Sequence, residues 1–171
     1  MASPLIRTIQ TACLGFWDVL KNPDVKFVLV PMAQEIANQP CDIGFPAAEL
    51  KEKVAAWLQQ ERLGFGVERM DWSLVEDGWN SKTGIYTASL TAVNARAAAL
   101  RATLYAHPSE AVILVTHGAF LHYLTADWSS FDGARGTGYE NCEFKQFIWE
   151  KQGEEGVHLK EIGGAKIRQG R

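Results

Sequence analysis

A continuous apolar run that stops at a histidine constrains this chain most: Ala111–Leu124 reads AVILVTHGAFLHYL. Val112–Val115 is a β-branched and leucine run, and the turn-forming His107-Pro108-Ser109 precedes it. A strand apolar on both faces belongs in a parallel sheet buried between two helical layers. The run ends at Thr116-His117-Gly118, and Phe120, Leu121 and Leu124 follow at helical spacing. Open α/β sheets bind ligands at the carboxyl ends of their strands. His117 and Gly118 therefore fall where chemistry is expected, beside helix N-terminal amides that suit an anion. A histidine that merely hydrogen-bonds in a crowded turn is the alternative.

The rest of the chain alternates in the same way. Val25–Val30 (VKFVLV) is a second candidate buried strand, closed by Pro31, and Glu35 follows shortly after it. That is the neighbourhood of a site carboxylate, although most glutamates are simply solvated. Ser3 is a good N-cap and Pro4 a good first helical residue, so a helix is expected from there to about Leu20. Its apolar stripe is Leu5, Ile9, Cys13, Phe16, Trp17 and Leu20. Arg7 is the odd member, because a cation in the first turn costs ~0.3–1 kcal/mol against the helix dipole unless an anion sits there. Either Arg7 is a solvated arginine, or it grips an anion such as phosphate with its two-pronged guanidinium.

Ala47–Arg62 is amphipathic, with Leu50, Val54, Trp57 and Leu58 on one face. Val67–Tyr86 has no period and is dense in Trp72, Trp79, Asn80 and Lys82, which fits either a binding lid or a satellite aromatic cluster. Thr87–Ala106 is the best-defined helix, with Leu90, Val93, Ala97, Leu100 and Leu104 in step and Thr87 or Ser89 as cap. It leads directly into the central strand, the order of a layered α/β sheet. Trp128–Asn141 is a glycine-rich loop holding Arg135, without the GK[ST] ending of a Walker loop. Cys142–Trp149 and Val157–Ile162 read as a hairpin on the sheet edge, and 163–171 as a frayed end.

Composition narrows the classes. A chain of 171 residues, 47% hydrophobic and 22% charged, is expected to be one globular domain over 1–171. A net charge of −3, with no Lys/Arg cluster among aromatics, offers nucleic acid no basic surface. No apolar run reaches membrane-spanning length, and Met1–Pro4 lacks the parts of a secretion signal, so no membrane partner is expected. Cys13, Cys41 and Cys142 are widely spaced without a CxxC, which suits a reducing, cytoplasmic setting rather than disulfides or zinc. His117 and His122 are five apart, off a common helix face, and no HExxH exists, so no metal is expected. His107, His122 and His158 read as structural or solvent-facing.

Two segments then point to one family. Ala2–Ala12, ASPLIRTIQTA, resembles the SPLxRxxQTA segment of the histidine phosphatase superfamily, the phosphoglycerate mutase-like family. Val112–Leu121, VILVTHGAFL, resembles that family's second histidine motif. The runs DWSLVEDGWNSKTG, VTHGAFLHYLTADW and GTGYENCEF are similar to its fungal branch. The resemblance covers nearly the whole chain. It implies a three-layer α/β/α fold with a mostly parallel central sheet and a phosphate pocket at the strand ends. It implies that Arg7, His117 and Gly118 bind phosphate, that His117 stabilises charge on the transferring phosphoryl group, and that Glu35 protonates the leaving oxygen. A small phosphorylated substrate, and no metal or cofactor, is implied.

The same resemblance exposes a departure. The family's nucleophile is a histidine in an Arg-His-Gly or Arg-His-Ala motif on the first strand, ahead of the SPLxR segment. Here Met1 lies one residue before that segment, and no histidine in the chain follows an arginine. The chain is therefore expected to be an N-terminally truncated phosphomonoester hydrolase without its nucleophile, or a pseudophosphatase that binds a phosphorylated ligand or partner. With N-terminal strands missing, Val25–Val30 and Val112–Val115 are expected to expose their flanks, and the chain to be marginally stable or to self-associate through a sheet edge.

Overall fold

Three residues at the start of the chain tie its two long apolar segments together. In the computed structural model, which describes residues 1–129, 131, 138–151 and 157–165, Ala2 bridges in parallel to both Leu29 and Val115. Ala2 N donates to Val28 O (3.0 Å), Val30 N to Ala2 O (2.7 Å), Ser3 N to Val115 O (3.0 Å) and Val115 N to Met1 O (3.0 Å). On the far side, β1 (Phe27–Val28) pairs in parallel with β2 (Met70–Asp71), and Leu29 N donates to Asp71 O at 3.1 Å. Asp71, Leu29, Ala2 and Val115 thus lie across one parallel ladder.

Met1–Ser3 is extended, not the start of a helix. Pro4 explains this, because its ring disfavours helical backbone at the residue before it. The first helix, α1 (Ile6–Gly15), begins after Leu5 with no side-chain cap, and the single Thr8 hydroxyl proton is shared between Ser3 O and Leu5 O. The expected single helix breaks at Phe16 (φ −125°, ψ 26°), and α2 is Trp17–Leu20.

The expected flank exposure is found on one segment only. Phe27, Leu29 and Val30 are buried, because Met1–Ser3 and β2 cover their two edges. Val112–Val115 differs from the doubly buried strand expected, since Ile113 is 39% exposed and Val112, Leu114 and Val115 are only partly covered. Among the described residues no backbone hydrogen bond reaches the amides of Val112 or Leu114.

Burial follows the period-two alternation of an extended chain. Phe27 and Leu29 enter one cluster, with Leu5, Ile9, Cys13, Leu50, Val54, Leu58 and Trp79. Val28 and Val30 enter another, with Val93, Ala97, Leu100, Phe120 and Leu124. The helices behind these clusters are α1, α3 (Ala47–Glu61), α4 (Leu90–Tyr105) and α5 (Gly118–Thr125). Ser89 caps α4 by accepting from Ala92 N at 3.3 Å. Leu90, expected in the α4 stripe, is exposed; Val93 and Arg96 take the buried positions of the first turns.

The tail hairpin forms as β3 (Phe144–Lys151) and β4 (Val157–Ala165), antiparallel, with Phe144 opposite Ala165. It is a two-stranded sheet of its own instead of an extension of the parallel one. Its anchor is on α4, where Tyr105 and Trp149 meet edge to face at 5.4 Å. Gly163–Ala165 complete β4 rather than fray, and Gly164 suits its position because a Cβ there would lie 2.5 Å from Phe144 O. Arg135 and the turn 153–156 lie outside the described residues.

Val67–Tyr86 is irregular apart from β2 and two 3₁₀ turns. Its aromatics pack inward, with Trp79 only 2% exposed. Among the described residues no helix is long and apolar enough to cross a membrane, and no three His, Cys, Asp or Glu side chains group to hold a metal ion.

Candidate functional site

Beyond the carboxyl end of the parallel ladder, His117 stands as the N-cap of α5 with extended backbone (φ −123°, ψ 147°). Its ring is 5% exposed, with Nδ1 3.0 Å from Arg7 Nη2 and Nε2 2.9 Å from Ser3 Oγ. A guanidinium can only donate, so Nδ1 accepts and the ring proton sits on Nε2, donating to Ser3. Burial, then the charges of Arg7, Lys82 and Arg96, pushes His117 down to about 3. The ring is therefore neutral at ordinary pH. Ser3, expected as a helix cap, is instead the residue that orients this imidazole.

Arg7 lies in the first turn of α1 with its side chain 44% exposed. Nη2 pairs with Asp42 Oδ1 at 2.8 Å, and Nη1 donates to the Cys41 carbonyl. The anion that offsets this first-turn cation is thus Asp42, from the loop between β1 and α3. Among the described residues the guanidinium's Nε–H is left without a partner, on a half-exposed group.

Glu35 follows the 3₁₀ turn Pro31–Ala33 and is partly buried, with Oε1 accepting from Ile36 N at 2.8 Å. Burial raises its pKa and Asp42 adds to that; the amides of Ile36 and Phe120 and the Arg7 charge oppose it. Phe120 is in the first turn of α5, so this carboxyl faces the same helix end as His117. Gly118 opens that helix, where the first amides have no intrahelical partner. Arg7, Glu35, His117 and Gly118 therefore converge, as drawn from positions far apart in the chain.

Four further residues complete the cluster. Besides Ser3 and Asp42, Arg96 of α4 is 3% exposed and donates from Nη1 to Met32 O (3.0 Å) and Gln34 O (2.6 Å). Its guanidinium lies 4.5 Å over the Phe120 ring, and burial lowers it to about 10. The signal for Arg96 was present in the sequence: three residues after Val93 and four before Leu100, it falls on the buried stripe of its helix. Lys82 Nζ donates to Glu35 O at 2.8 Å, and burial lowers this amine to about 8. The other histidines stay apart from this cluster. His107 Nδ1 accepts from Ser109 N at 3.2 Å, His122 is fully buried, and His158 is partly buried rather than outward-facing.

The family model of the histidine phosphatase superfamily (branch 1) matches residues 1–162. Comparison with curated proteins and with solved structures gives no match.

Proposed function

The chain belongs to the histidine phosphatase superfamily, and from that premise we propose that residues 1–171 carry the phosphate-gripping side of a phosphomonoester hydrolase. The observation that carries this reading is the Arg7 guanidinium, held between Asp42 and His117 with its exposed side turned to solvent. Beside it is a carboxyl that burial shifts toward its protonated form.

In this reading Arg7, the Gly118 amide and the His117 Nε2–H, turned from Ser3, hold the three equatorial oxygens of the phosphoryl group. Phosphoryl transfer needs little else than such positioning and charge. A nucleophilic imidazole forms a nitrogen–phosphorus bond as the ester P–O bond breaks, and Glu35 gives its proton to the leaving oxygen. Water then cleaves the phosphohistidine, releasing inorganic phosphate. None of the four histidines in these 171 residues follows an arginine, so the nucleophile in this reading is not among them. The buried clusters on alternate residues of Phe27–Val30 support a three-layer α/β/α arrangement, and the run Asp71–Gly84 supports the fungal branch. Three free thiols are in keeping with a cytoplasmic setting.

Calorimetry with inorganic phosphate tests this. The chain is expected to bind phosphate, Arg7→Ala to weaken binding by about 10–100-fold, and p-nitrophenyl phosphate to be left intact. A folded chain that ignores phosphate overturns the reading. Strong hydrolysis that disappears in His117→Ala overturns the missing-nucleophile part alone. A second reading, a pseudophosphatase, is expected to bind a phosphorylated peptide or metabolite more tightly than free phosphate, again without hydrolysis.

A further inference from the structure

Resting on the phosphate-site reading above, we propose that Lys82 is a further ligand of the bound tetrahedral anion, brought to it by a strap formed by Trp79–Lys82. The strap is locked onto the loop that carries Glu35, Cys41 and Asp42. Gln34, itself fully buried, donates from Nε2 to Trp79 O at 2.8 Å, and Asn80 Nδ2 donates to Gly44 O at 2.7 Å. The Trp79 ring lies so close over Gly44 that a Cβ there would run into it.

From this anchored base the backbone turns back on itself. Lys82 has φ +54°, a left-handed conformation that costs a non-glycine residue ~1 kcal/mol or more. The turn sends Nζ to the Glu35 carbonyl, which satisfies one of its three donors. Among the described residues Lys82 forms no ion pair. A partly buried ammonium held only by a neutral carbonyl is a cation still lacking its anion.

The charges around it agree. Arg96 from α4, Arg7 from α1, and Asp42 and Glu35 from the intervening loop all act on Lys82, and its charge in turn bears on His117. Asp42 is already paired with Arg7, and Glu35 is shifted toward neutrality. Three cations thus act on His117, the N-cap of α5, while Asp42, the ionised carboxylate acting on Lys82, is already engaged by Arg7. A dianion of phosphoryl shape balances that excess, and Nζ moves from the Glu35 carbonyl to an anion oxygen.

Inorganic sulfate is the probe, because it stays a dianion while pH is varied between about 7 and 9, where His117 is neutral, Tyr86 is protonated and Arg96 is charged. A Cys41→Ser background removes the exposed thiol of the residue whose carbonyl Arg7 bonds. Sulfate affinity of the chain is expected to fall about tenfold from pH 7 to pH 9 as Lys82 loses its proton. Lys82→Met is expected to bind about tenfold more weakly at pH 7 and to show no such fall. Lys82→Arg, which keeps its charge, is expected to hold its affinity across the range, and carries the test if Lys82→Met does not fold. If Lys82→Met or Lys82→Arg keeps the parent's affinity and pH slope, Lys82 is only a strut for the Glu35 loop, while the phosphate-site reading stands. If the parent chain binds no sulfate, both fall together.

Discussion

His117 and His122 stand at the two ends of α5, both buried, and their surroundings share almost nothing. His117 meets a hydroxyl and a guanidinium, and three cations bear on it. His122 is stacked on Trp128 (5.2 Å, 17°), with Phe131 edge-on at 5.4 Å and Tyr139 at 4.9 Å. His122 Nδ1 lies 2.7 Å from Asp127 O, a pure acceptor, so that nitrogen carries a proton. The His117 ring thus holds its proton on Nε2, whereas His122 carries one on Nδ1. Burial alone does not make a histidine a site residue. An unbalanced charge and an exposed donor beside the ring mark the His117 end as the candidate site.

The widest gap between the two ends is expected in stability. His122→Ala removes the centre of an aromatic cluster and is expected to cost ~2–4 kcal/mol, read by denaturant unfolding, with phosphate affinity nearly unchanged. His117→Ala is expected to do the reverse, losing phosphate binding for a smaller stability cost. A larger stability loss at His117 than at His122 breaks the comparison. Gly44→Ala perturbs only the His117 end, by driving Trp79 off the Glu35 loop, and is expected to cost ~1–3 kcal/mol together with weaker phosphate binding. Unchanged binding in that variant would show that the strap does not shape the site.

Acid sharpens the contrast. The unfolded chain protonates its histidines near 6.5, whereas folded His117 resists until about 3. Between those values the unfolded state binds more protons, so stability falls as pH drops, by at most ~1.4 kcal/mol per unit. Glu35, raised in the fold, works in the opposite direction. The slope is therefore read as the difference between the parent and His117→Gln, in which it is expected to flatten. The smallest effect is assigned to Ser3→Ala, ~0.5–1.5 kcal/mol for the hydrogen bond to Nε2, with a raised His117 mobility readable by NMR.

Local patterns made much of this legible. The helices α3 and α4 and the tail hairpin announce themselves by period, and Arg7, Glu35 and His117 by short motifs next to strand ends. What escaped was either too short or too distant. β2 is two residues long, which leaves no alternation to read. Asp42 reaches Arg7 across 35 residues, and Arg96 reaches Gln34 across 62, so no window contains both partners. Met1–Ser3 was misjudged because the cap and first-turn preferences of Ser3 and Pro4 outweighed the extended backbone that Pro4 imposes on Ser3. Ile113 belongs to an apolar run, yet burial of both faces needs neighbours on both sides, and a run of valines does not reveal those.

The most direct test of the account is the ¹⁵N NMR spectrum of the His117 imidazole at neutral pH, without and with inorganic phosphate. The expected result is a neutral ring protonated on Nε2, staying neutral far into acid, whose Nε2 resonance moves on saturation with phosphate while His122 stays still. A His117 ring that titrates in the ordinary histidine range and does not respond to phosphate would contradict the account.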